Sequence, residues 1–410
     1  MISKRKKISW TELLIILVII NALGFPGNYV NLLGEQIEAI VEYGSFLVEI
    51  LLLLLFSNSR FLSIKKRHLP MIIFAGIIFV ESVIVTNYFG LEIISCTRLC
   101  VTIAFALFLV DRFSSEKILE LFYQAQVGFL ILTGIYTIFN PSGAFQDTTI
   151  ISHAFTGLFT TKNNCASELA CGIIITMVLI KIHLTHGGKL EKAKILVLGI
   201  QIILLISCQA TGPILCMLLS VIYVIFLSQR RFNPALFFWV VSLGFLFVSL
   251  TVIPLFAEIL EFLGKDITLT GRTNMWSQVI EVMTNTHTWT GFGYVMFWRD
   301  PSAYGLIHAG FNQYSFLGNM TSGSHNMILD LWLNIGLIGI ILLFLLTMIT
   351  MFRYKKMANE QYLFVSSYMI YFTLHGLTER AFDPSNYLTL LFFVVVATAS
   401  LSKQAELQGF

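Results

Sequence analysis

Runs of about 20 predominantly apolar residues recur along this chain, and a run of that length crosses a hydrocarbon core of about 30 Å as a helix. Twelve runs are predicted, at residues 8–24, 37–56, 69–86, 92–110, 118–139, 164–182, 193–208, 211–227, 235–255, 326–350, 361–380 and 386–402. Hydrophobic residues make up 56% of the sequence and charged residues only 12%, which excludes a soluble globular domain of 410 residues. The pattern therefore predicts an all-α polytopic membrane protein with about 12 transmembrane helices.

The basic residues support this count, because Lys and Arg are retained on the cytoplasmic side of short loops. With the N-terminus placed inside, most of the 26 basic residues fall in inside segments, which predicts that both termini are cytoplasmic. Arg98 lies within a span, and the basic residues left outside are Lys162, Lys265, Arg272, Arg299 and Arg380. The net charge of +3 thus follows from membrane topology, and no basic face for nucleic acid is present.

The seventh and eighth runs are short, and little separates them. The junction of the seventh run with the eighth consists of Gln209, Ala210, Thr211, Gly212 and Pro213. Such turn-forming residues fit either a tight hairpin or a broken helix.

A long polar interruption at residues 256–325 divides the chain into nine spans (1–255) and three spans (326–410). The charge distribution places this loop outside. Within it, the apolar residues that follow Arg272 have helical spacing, which predicts a short amphipathic helix lying in the membrane interface. A guanidinium at its start suits bidentate binding of a lipid-linked phosphate and equally suits contact with lipid headgroups.

His325 opens the tenth span, and Asp330 follows within about a turn and a half. A lone His at a helix start is more often a cap or a satisfied polar residue than a catalyst. Its position opposite an external Arg favours a catalytic role. Further along the same span, Gly336 and Gly339 predict the close approach of another helix.

Charged residues inside spans are functional candidates by default and usually have partners. Arg98 in span four is predicted to lie at the same depth in the membrane as Glu81 in span three and Glu42 in span two. The face of span two that carries Glu42 also holds Glu35, Glu38 and Glu49. The alternative is an ion-pair cluster that only holds three helices together.

The sequence shows no spacing typical of a metal or nucleotide site. The six cysteines and eight histidines lack Cys-x-x-Cys and His-x-x-x-His patterns. Gly291-Phe292-Gly293 is too short to indicate a nucleotide loop. We therefore expect no cofactor and no tightly bound metal, so any activated group must come from the substrate.

The segments around Arg272 and His325 resemble those of the O-antigen ligase-like family of bacterial membrane glycosyltransferases, which includes O-antigen ligases and polymerases of capsular, O-antigen and exopolysaccharide repeats. The stretch from Gly157 to Asn163 is similar to the family's Gly-x-Phe-x-x-Lys-Asn motif, and residues 377–386, with Glu379, to its last external loop. The sequence departs from the family at Thr290, where a Pro or small apolar residue is common. It also departs at 209–211, where a Ser-Arg pair is frequent.

The resemblance implies a GT-C-like architecture and an inverting, metal-independent transfer of glycan from an undecaprenyl-diphosphate donor to an acceptor hydroxyl, at the external face of the bacterial cytoplasmic membrane. The implied catalytic residues are His325, Arg272, Glu379 and Asp330, with His325 favoured as the base over the two carboxylates. The implied diphosphate-binding residues are Arg272, Arg98, Lys162 and Arg380. The implied glycan-binding residues are Trp276, Trp289, Tyr294 and Trp298.

Some of these aromatic residues have a second interpretation. In one interpretation they stack on sugar rings, and in the other they form a belt at the membrane interface, which is the commoner use of aromatic residues. The residues concerned are Trp289, Trp298, Tyr304 and Tyr314.

A polymerase of surface polysaccharide is the favoured function, and a ligase that passes finished glycan to another acceptor is the alternative within the same chemistry. A flippase for lipid-linked oligosaccharide is an alternative from another class, although no repeat symmetry between the halves supports it. A scaffolding protein would need no external Arg, His and Glu. The expected partners are the lipid-linked donor, the glycan acceptor and membrane lipids, together with a flippase and a chain-length regulator.

Overall fold

The computed structural model describes residues 9–23, 35–56, 65–85, 89–147, 153–228, 232–247, 272–300, 302–303, 305–307, 323–383 and 386–401. Its helices are α1 (Trp10–Ala22), α2 (Glu35–Phe56), α3 (Leu69–Val85), α4 (Phe89–Arg112), α5 (Ser115–Phe139), α6 (Lys162–Thr185), α7 (Lys192–Ser207), α8 (Thr211–Ile222), α9 (Pro234–Phe247), α10 (Arg272–Asn285), α11 (Met327–Phe352), α12 (Asn359–Gly376) and α13 (Tyr387–Ala399). Two short antiparallel strands, β1 (Phe145–Gln146) and β2 (Ala154–Phe155), pair between α5 and α6.

Each predicted apolar run coincides with a helix, the first nine with α1 to α9 and the last three with α11 to α13. Among the described residues, four helical segments are long and apolar enough to cross a membrane on length and composition. They are Phe89–Arg112, Ser115–Phe139, Lys162–Thr185 and Met327–Lys356. Several shorter apolar helices accompany them. The chain is thus a helical membrane protein, with fewer full-length spans in its described part than the twelve predicted.

The seventh and eighth runs form two helices, α7 and α8, that are separated by a sharp turn. Gln209 in this turn adopts the left-handed backbone conformation with φ of 52°. Both helices pack on α6. The two runs are therefore separate helices joined by a tight turn, which is the first of the two alternatives that the sequence left open.

Helix α12 lies at the centre of the bundle. It packs on α5, α6, α8, α9, α11 and α13. All its residues from Gln361 to Gly376 are buried, so the helix is enclosed on every side. Because α12 ends at Gly376, the segment that follows emerges from the middle of the bundle at one end.

Three helices begin at that same end, each with a side-chain cap. Thr161 accepts a hydrogen bond from Asn164 N at the start of α6, Asn326 accepts from Ile328 N at the start of α11, and Asn386 accepts from Leu388 N at the start of α13. Such caps satisfy backbone N–H groups that a helix start leaves unpaired. The capped starts concentrate polar groups and positive helix ends around the end of α12.

Ion pairs mark the opposite end of the bundle. Lys117 contacts Glu12 at 2.6 Å between Nζ and Oε1, and His186 contacts Glu360 at 3.0 Å. Lys65 and Arg67 both contact Asp111. These basic residues come from segments that the charge distribution predicts to be cytoplasmic, and the orientation of the bundle in the membrane stays a prediction.

Helix α11 is broken at Gly336, which has φ of 69° and ψ of −168°. The backbone of residues 288–293 fills the break. Phe292 N and Gly293 N donate to Leu333 O and Asn334 O at 2.9 and 3.0 Å. In return, Leu337 N donates to Thr288 O at 3.1 Å. The loop thereby satisfies backbone groups that a break within a membrane helix would leave unpaired.

The close neighbour of Gly336 is therefore a loop, whereas the sequence predicted another helix. A Cβ atom at this position would lie 2.2 Å from Trp289 O. Part of the interruption at 256–325 thus packs against α11, at the break in that helix. Gly339, by contrast, faces side chains of its own helix, Ile335 and Leu331.

Candidate active site

A cavity of about 450 Å³ lies where α6, α11 and α13 begin and the segment after α12 emerges. This volume is typical of a site for a small ligand or for part of a larger one. Four residues predicted to be functional line it, namely Lys162, His325, Glu379 and Arg380. These residues are far apart in the sequence, so the fold brings them together.

Glu379 is the centre of a hydrogen-bonded array. Its Oε2 lies 2.9 Å from His325 Nδ1, and its Oε1 accepts a hydrogen bond from Asn163 Nδ2 at 2.9 Å. The carboxylate is largely buried and the imidazole is about a quarter exposed. Since both carboxylate oxygens are engaged, the Glu379 carboxylate is held in place and orients the His325 ring through Nδ1.

The turn that carries His325 is held by its neighbours. His325 has φ of 52°, in the left-handed region that few side chains adopt. On one side, Ser324 N donates to Asp330 Oδ1 at 2.8 Å. On the other, Asn326 Nδ2 donates to Leu377 O at 3.2 Å, which ties the start of α11 to the end of α12. The unusual conformation is thus stabilised by contacts on both flanks.

Lys162 and Arg380 supply positive charge to the cavity. Lys162 is the first residue of α6, and its Nζ donates to Gln209 O at 3.2 Å in the turn between α7 and α8. Arg380 Nη2 donates to Asp383 Oδ2 at 2.7 Å. Burial opposes the charge of Arg380, but Asp383 and Asp330 outweigh it and raise the pKa of this guanidinium above its usual value. Both cations lie beside helix starts, where anions bind favourably.

Asp330 lies behind the wall of the cavity. Its carboxylate is buried, and Oδ1 accepts hydrogen bonds from Ser324 N and, at 3.0 Å, from Trp298 Nε1. A carboxylate held in this way supports the His325 turn. The predicted role of Asp330 as a base conflicts with this position, because Asp330 does not line the cavity.

Arg272 is the first residue of α10, and its side chain lies outside the described part of the structure. Its helix nevertheless contacts the site. Trp276, one turn further along α10, donates its indole N–H to Ser324 O at 2.9 Å. The helix that begins with Arg272 is thereby attached to the turn of His325, and a role for Arg272 stays a prediction.

The aromatic residues predicted to bind glycan lie outside the cavity lining. Trp276 donates a hydrogen bond to Ser324 O and Trp298 donates one to Asp330 Oδ1, so both side chains stabilise the His325 turn. Tyr294 is only 2% exposed, so its ring has no free face for a sugar, contrary to its predicted role. Trp289 is 63% exposed beside the break in α11. Tyr304 and Tyr314 fall outside the described residues.

Arg98 also lies away from the cavity lining. Its guanidinium carbon is 5.2 Å from the centroid of the Tyr43 ring, and Glu49 is within electrostatic range. The predicted match of Arg98 with Glu81 is replaced by another contact, since Glu81 Oε1 accepts from Gly291 N at 3.0 Å. The side chains of Glu35, Glu38 and Glu42 fall outside the described part.

Glu81 belongs to a pair of buried carboxyl groups that the sequence did not reveal. Its neighbour Glu92, from α4, accepts from Tyr294 N at 2.6 Å, and Ser82 Oγ accepts from the same N–H at 3.1 Å. These groups hold the loop that fills the break in α11. Their role is therefore in positioning the loop, away from the cavity.

Other residues of the cavity also escaped the sequence analysis. Asn163 lies in the motif that carries the family resemblance, but nothing in the sequence pairs it with Glu379, 216 residues away. Glu168 and His375 line the cavity from within α6 and α12. A signal for Glu168 existed, because a carboxyl group within an apolar span is a functional candidate by default.

The described residues contain no group of three or more His, Cys, Asp or Glu side chains that would hold a metal ion.

Residues 195–344 match a family model described as O-Antigen ligase. The match runs from α7 into α11 and includes Arg272 and His325, so it confirms the resemblance to the O-antigen ligase-like family that the motifs indicated. It points to a membrane protein that processes glycans. No curated protein matches the chain.

Proposed function

We propose that this protein, similar over its central region to O-antigen ligases, is an inverting glycosyltransferase that polymerises surface polysaccharide from undecaprenyl-diphosphate-linked repeat units. It would act at the external face of the bacterial cytoplasmic membrane. One observation carries the proposal: the Asn163–Glu379–His325 array lies in the same cavity as Lys162 and Arg380. A base and a cationic anion site are thus adjacent, as glycosyl transfer from a diphosphate requires.

The array supports His325 as the base. Because Glu379 engages Nδ1, the proton of the neutral imidazole resides on that nitrogen and Nε2 is left with a lone pair. Nε2 accepts the proton of the acceptor hydroxyl as its oxygen attacks the sugar C1. The Glu379 carboxylate then stabilises the imidazolium that forms.

The cations support departure of the lipid diphosphate. As the new C1–O bond forms on one face of the sugar, the bond from C1 to the phosphate oxygen breaks on the other, which inverts the configuration. The electron pair leaves with the diphosphate, whose growing negative charge Lys162, Arg380 and the start of α6 stabilise. Arg272 would add a bidentate contact from α10. These groups take the part that a divalent ion plays in nucleotide-sugar enzymes.

The position of the cavity supports an external active site. It lies at the end of the bundle opposite the ion pairs of Glu12 with Lys117 and of His186 with Glu360. Those basic residues belong to segments predicted to be cytoplasmic. The donor's diphosphate would then meet Lys162 at the outer membrane boundary.

The test is complementation of a strain that lacks the protein, with surface glycan resolved on a gel. His325→Ala should abolish long chains, because the acceptor hydroxyl loses its base. The matched control is His186→Ala, which removes a His paired with a Glu at the opposite end, at 3.0 Å, and should restore long chains. Normal chain length with both variants would refute the proposal.

The same gel separates the two chemistries of this family. If the protein is a polymerase, its deletion should leave single repeat units on the carrier lipid. If it is a ligase, its deletion should leave full-length chains on the carrier lipid. That result would identify the protein as a ligase instead of a polymerase.

A further inference from the structure

The floor of the cavity carries two polar side chains that the proposed chemistry does not use. Glu168 of α6 and His375 of α12 both line the cavity. They are 4% and 1% exposed. The base and the cations lie nearer the ends of the same helices, so these two residues form a separate, deeper polar region.

Both side chains present an atom without a hydrogen-bond partner in the described structure, Glu168 Oε2 and His375 Nδ1. Glu379 differs, because both its oxygens are engaged. A buried polar group without a partner costs free energy, and such groups in folded proteins call for an explanation. A ligand at the floor would bring hydroxyl groups next to these two incompletely bonded side chains.

The depth of the floor follows from helix geometry. Glu168 lies six residues after Lys162 on α6, which corresponds to about 9 Å along the helix. His375 lies about one turn before Glu379. The floor is therefore one to two helical turns below the rim formed by Lys162 and Glu379.

The rim and the floor of the cavity favour different chemical groups of a ligand. The rim has Lys162, Arg380 and helix starts, which attract a diphosphate. The floor has a carboxyl group and an imidazole, which form hydrogen bonds with hydroxyl groups. Phe159 adds an apolar wall to the same cavity.

The floor is also rigid. The ring of His375 is stacked on that of Tyr371, with centroids 5.2 Å apart and an angle of 7° between the planes. Tyr371 OH in turn donates to Ser167 O at 2.8 Å, next to Glu168. A rigid polar surface discriminates between ligands by where their hydroxyl groups lie.

We propose that Glu168 and His375 form a subsite that binds the hydroxyl groups of a substrate sugar and selects the sugar by their arrangement. This inference rests on the proposed glycosyl transfer and extends it, because it assigns the anion to the rim and the sugar ring to the floor.

The experiment measures equilibrium binding of two probes to the full-length protein in lipid nanodiscs. One probe is the repeat-unit oligosaccharide released from the host's own surface polymer, which carries neither lipid nor phosphate. The other is inorganic pyrophosphate. Glu168→Gln should weaken oligosaccharide binding by about tenfold, because the amide places a donor where the carboxyl group accepts a hydrogen bond from a hydroxyl group, and it should leave pyrophosphate binding unchanged. Lys162→Ala should do the reverse.

Glu120→Gln is the matched control, since Glu120 contacts Lys194 at 3.6 Å outside the cavity and should leave both affinities unchanged. A second variant, His375→Gln, should weaken the oligosaccharide alone. The melting temperature of Glu168→Gln should be equal to or above that of the wild type, because Glu168 Oε2 has no hydrogen-bond partner in the described structure for the substitution to remove. A lower melting temperature would indicate a structural role and overturn the subsite.

The outcomes separate the two proposals. If the wild type binds pyrophosphate but shows no saturable binding of the oligosaccharide, the floor subsite fails and the anion site stands. If the wild type binds neither probe, the proposed glycosyl transfer fails, and the subsite with it.

Discussion

Asn163 donates its side-chain amide to Glu379 at 2.9 Å across 216 residues of sequence, and through that carboxylate it orients His325. Asn163 is therefore a positioning residue. Asn163→Ala should lower kcat by about 10- to 100-fold while changing KM little, because a misaligned base affects the chemical step most. Turnover of lipid-linked repeat units by the purified protein would measure this.

Asn163→Asp gives a sharper test of the same contact. The added carboxylate repels that of Glu379, so the array holds its protons more tightly and the rate should become half-maximal at a higher pH than in the wild type. An unchanged pH–rate profile in this variant would show that Asn163 does not act through Glu379.

Replacing the carboxylate itself should have a larger effect. Glu379→Gln removes the charge that stabilises the imidazolium, and kcat should fall by about 100-fold or more. Glu360→Gln changes the other His–Glu pair, at 3.0 Å from His186, and should keep wild-type turnover. Equal losses in the two variants would point to a general effect of losing a carboxylate.

Trp298 stabilises the fold beneath the site. Trp298→Phe removes the N–H that bonds to the buried Asp330 carboxylate at 3.0 Å, and the free energy of unfolding should fall by about 1–3 kcal/mol. Denaturation in detergent would measure the change. Trp289→Phe is the control, because Trp289 is largely exposed and its replacement should change stability by less than about 0.5 kcal/mol.

Gly336 is a glycine that the fold does not tolerate well in exchange for alanine. A Cβ there would lie 2.2 Å from Trp289 O, at a backbone conformation with φ of 69°. Gly336→Ala should therefore destabilise the protein by more than about 1–2 kcal/mol, or prevent its accumulation in the membrane. Gly76→Ala, at a helical position with nothing within 4 Å of the new Cβ, should be neutral or stabilising by up to about 1 kcal/mol.

The positions of the helices could be predicted from the sequence because each apolar run must form its hydrogen bonds internally in a membrane. The break in α11 could not, since Gly336 in an apolar run equally fits the close approach of a helix. What identifies the break is a set of backbone hydrogen bonds to residues 288–293, and backbone bonding leaves little trace in side-chain pattern.

The site was predictable in part for a similar reason. Lys162, His325 and Glu379 each lie in a segment that resembles the family, and their positions at predicted helix ends on one side imply proximity. The contact of Asn163 with Glu379 depends on how α6 packs against the end of α12. The floor residues Glu168 and His375 depend on which side of each enclosed helix faces the cavity, and hydrophobic periodicity does not reveal that side when every side is buried.

The backbone exchange between residues 288–293 and α11 also constrains how this region can vary in length. Phe292 N and Gly293 N of the loop bond to particular carbonyls of the broken helix, and Leu337 N bonds back to Thr288 O, so the two segments are in fixed register. Side chains at the surface of the loop, such as Trp289, are free to change without disturbing that register. The insertion or deletion of one residue would shift every pair, so natural variants of this region are expected to differ in residue type but to keep the same number of residues.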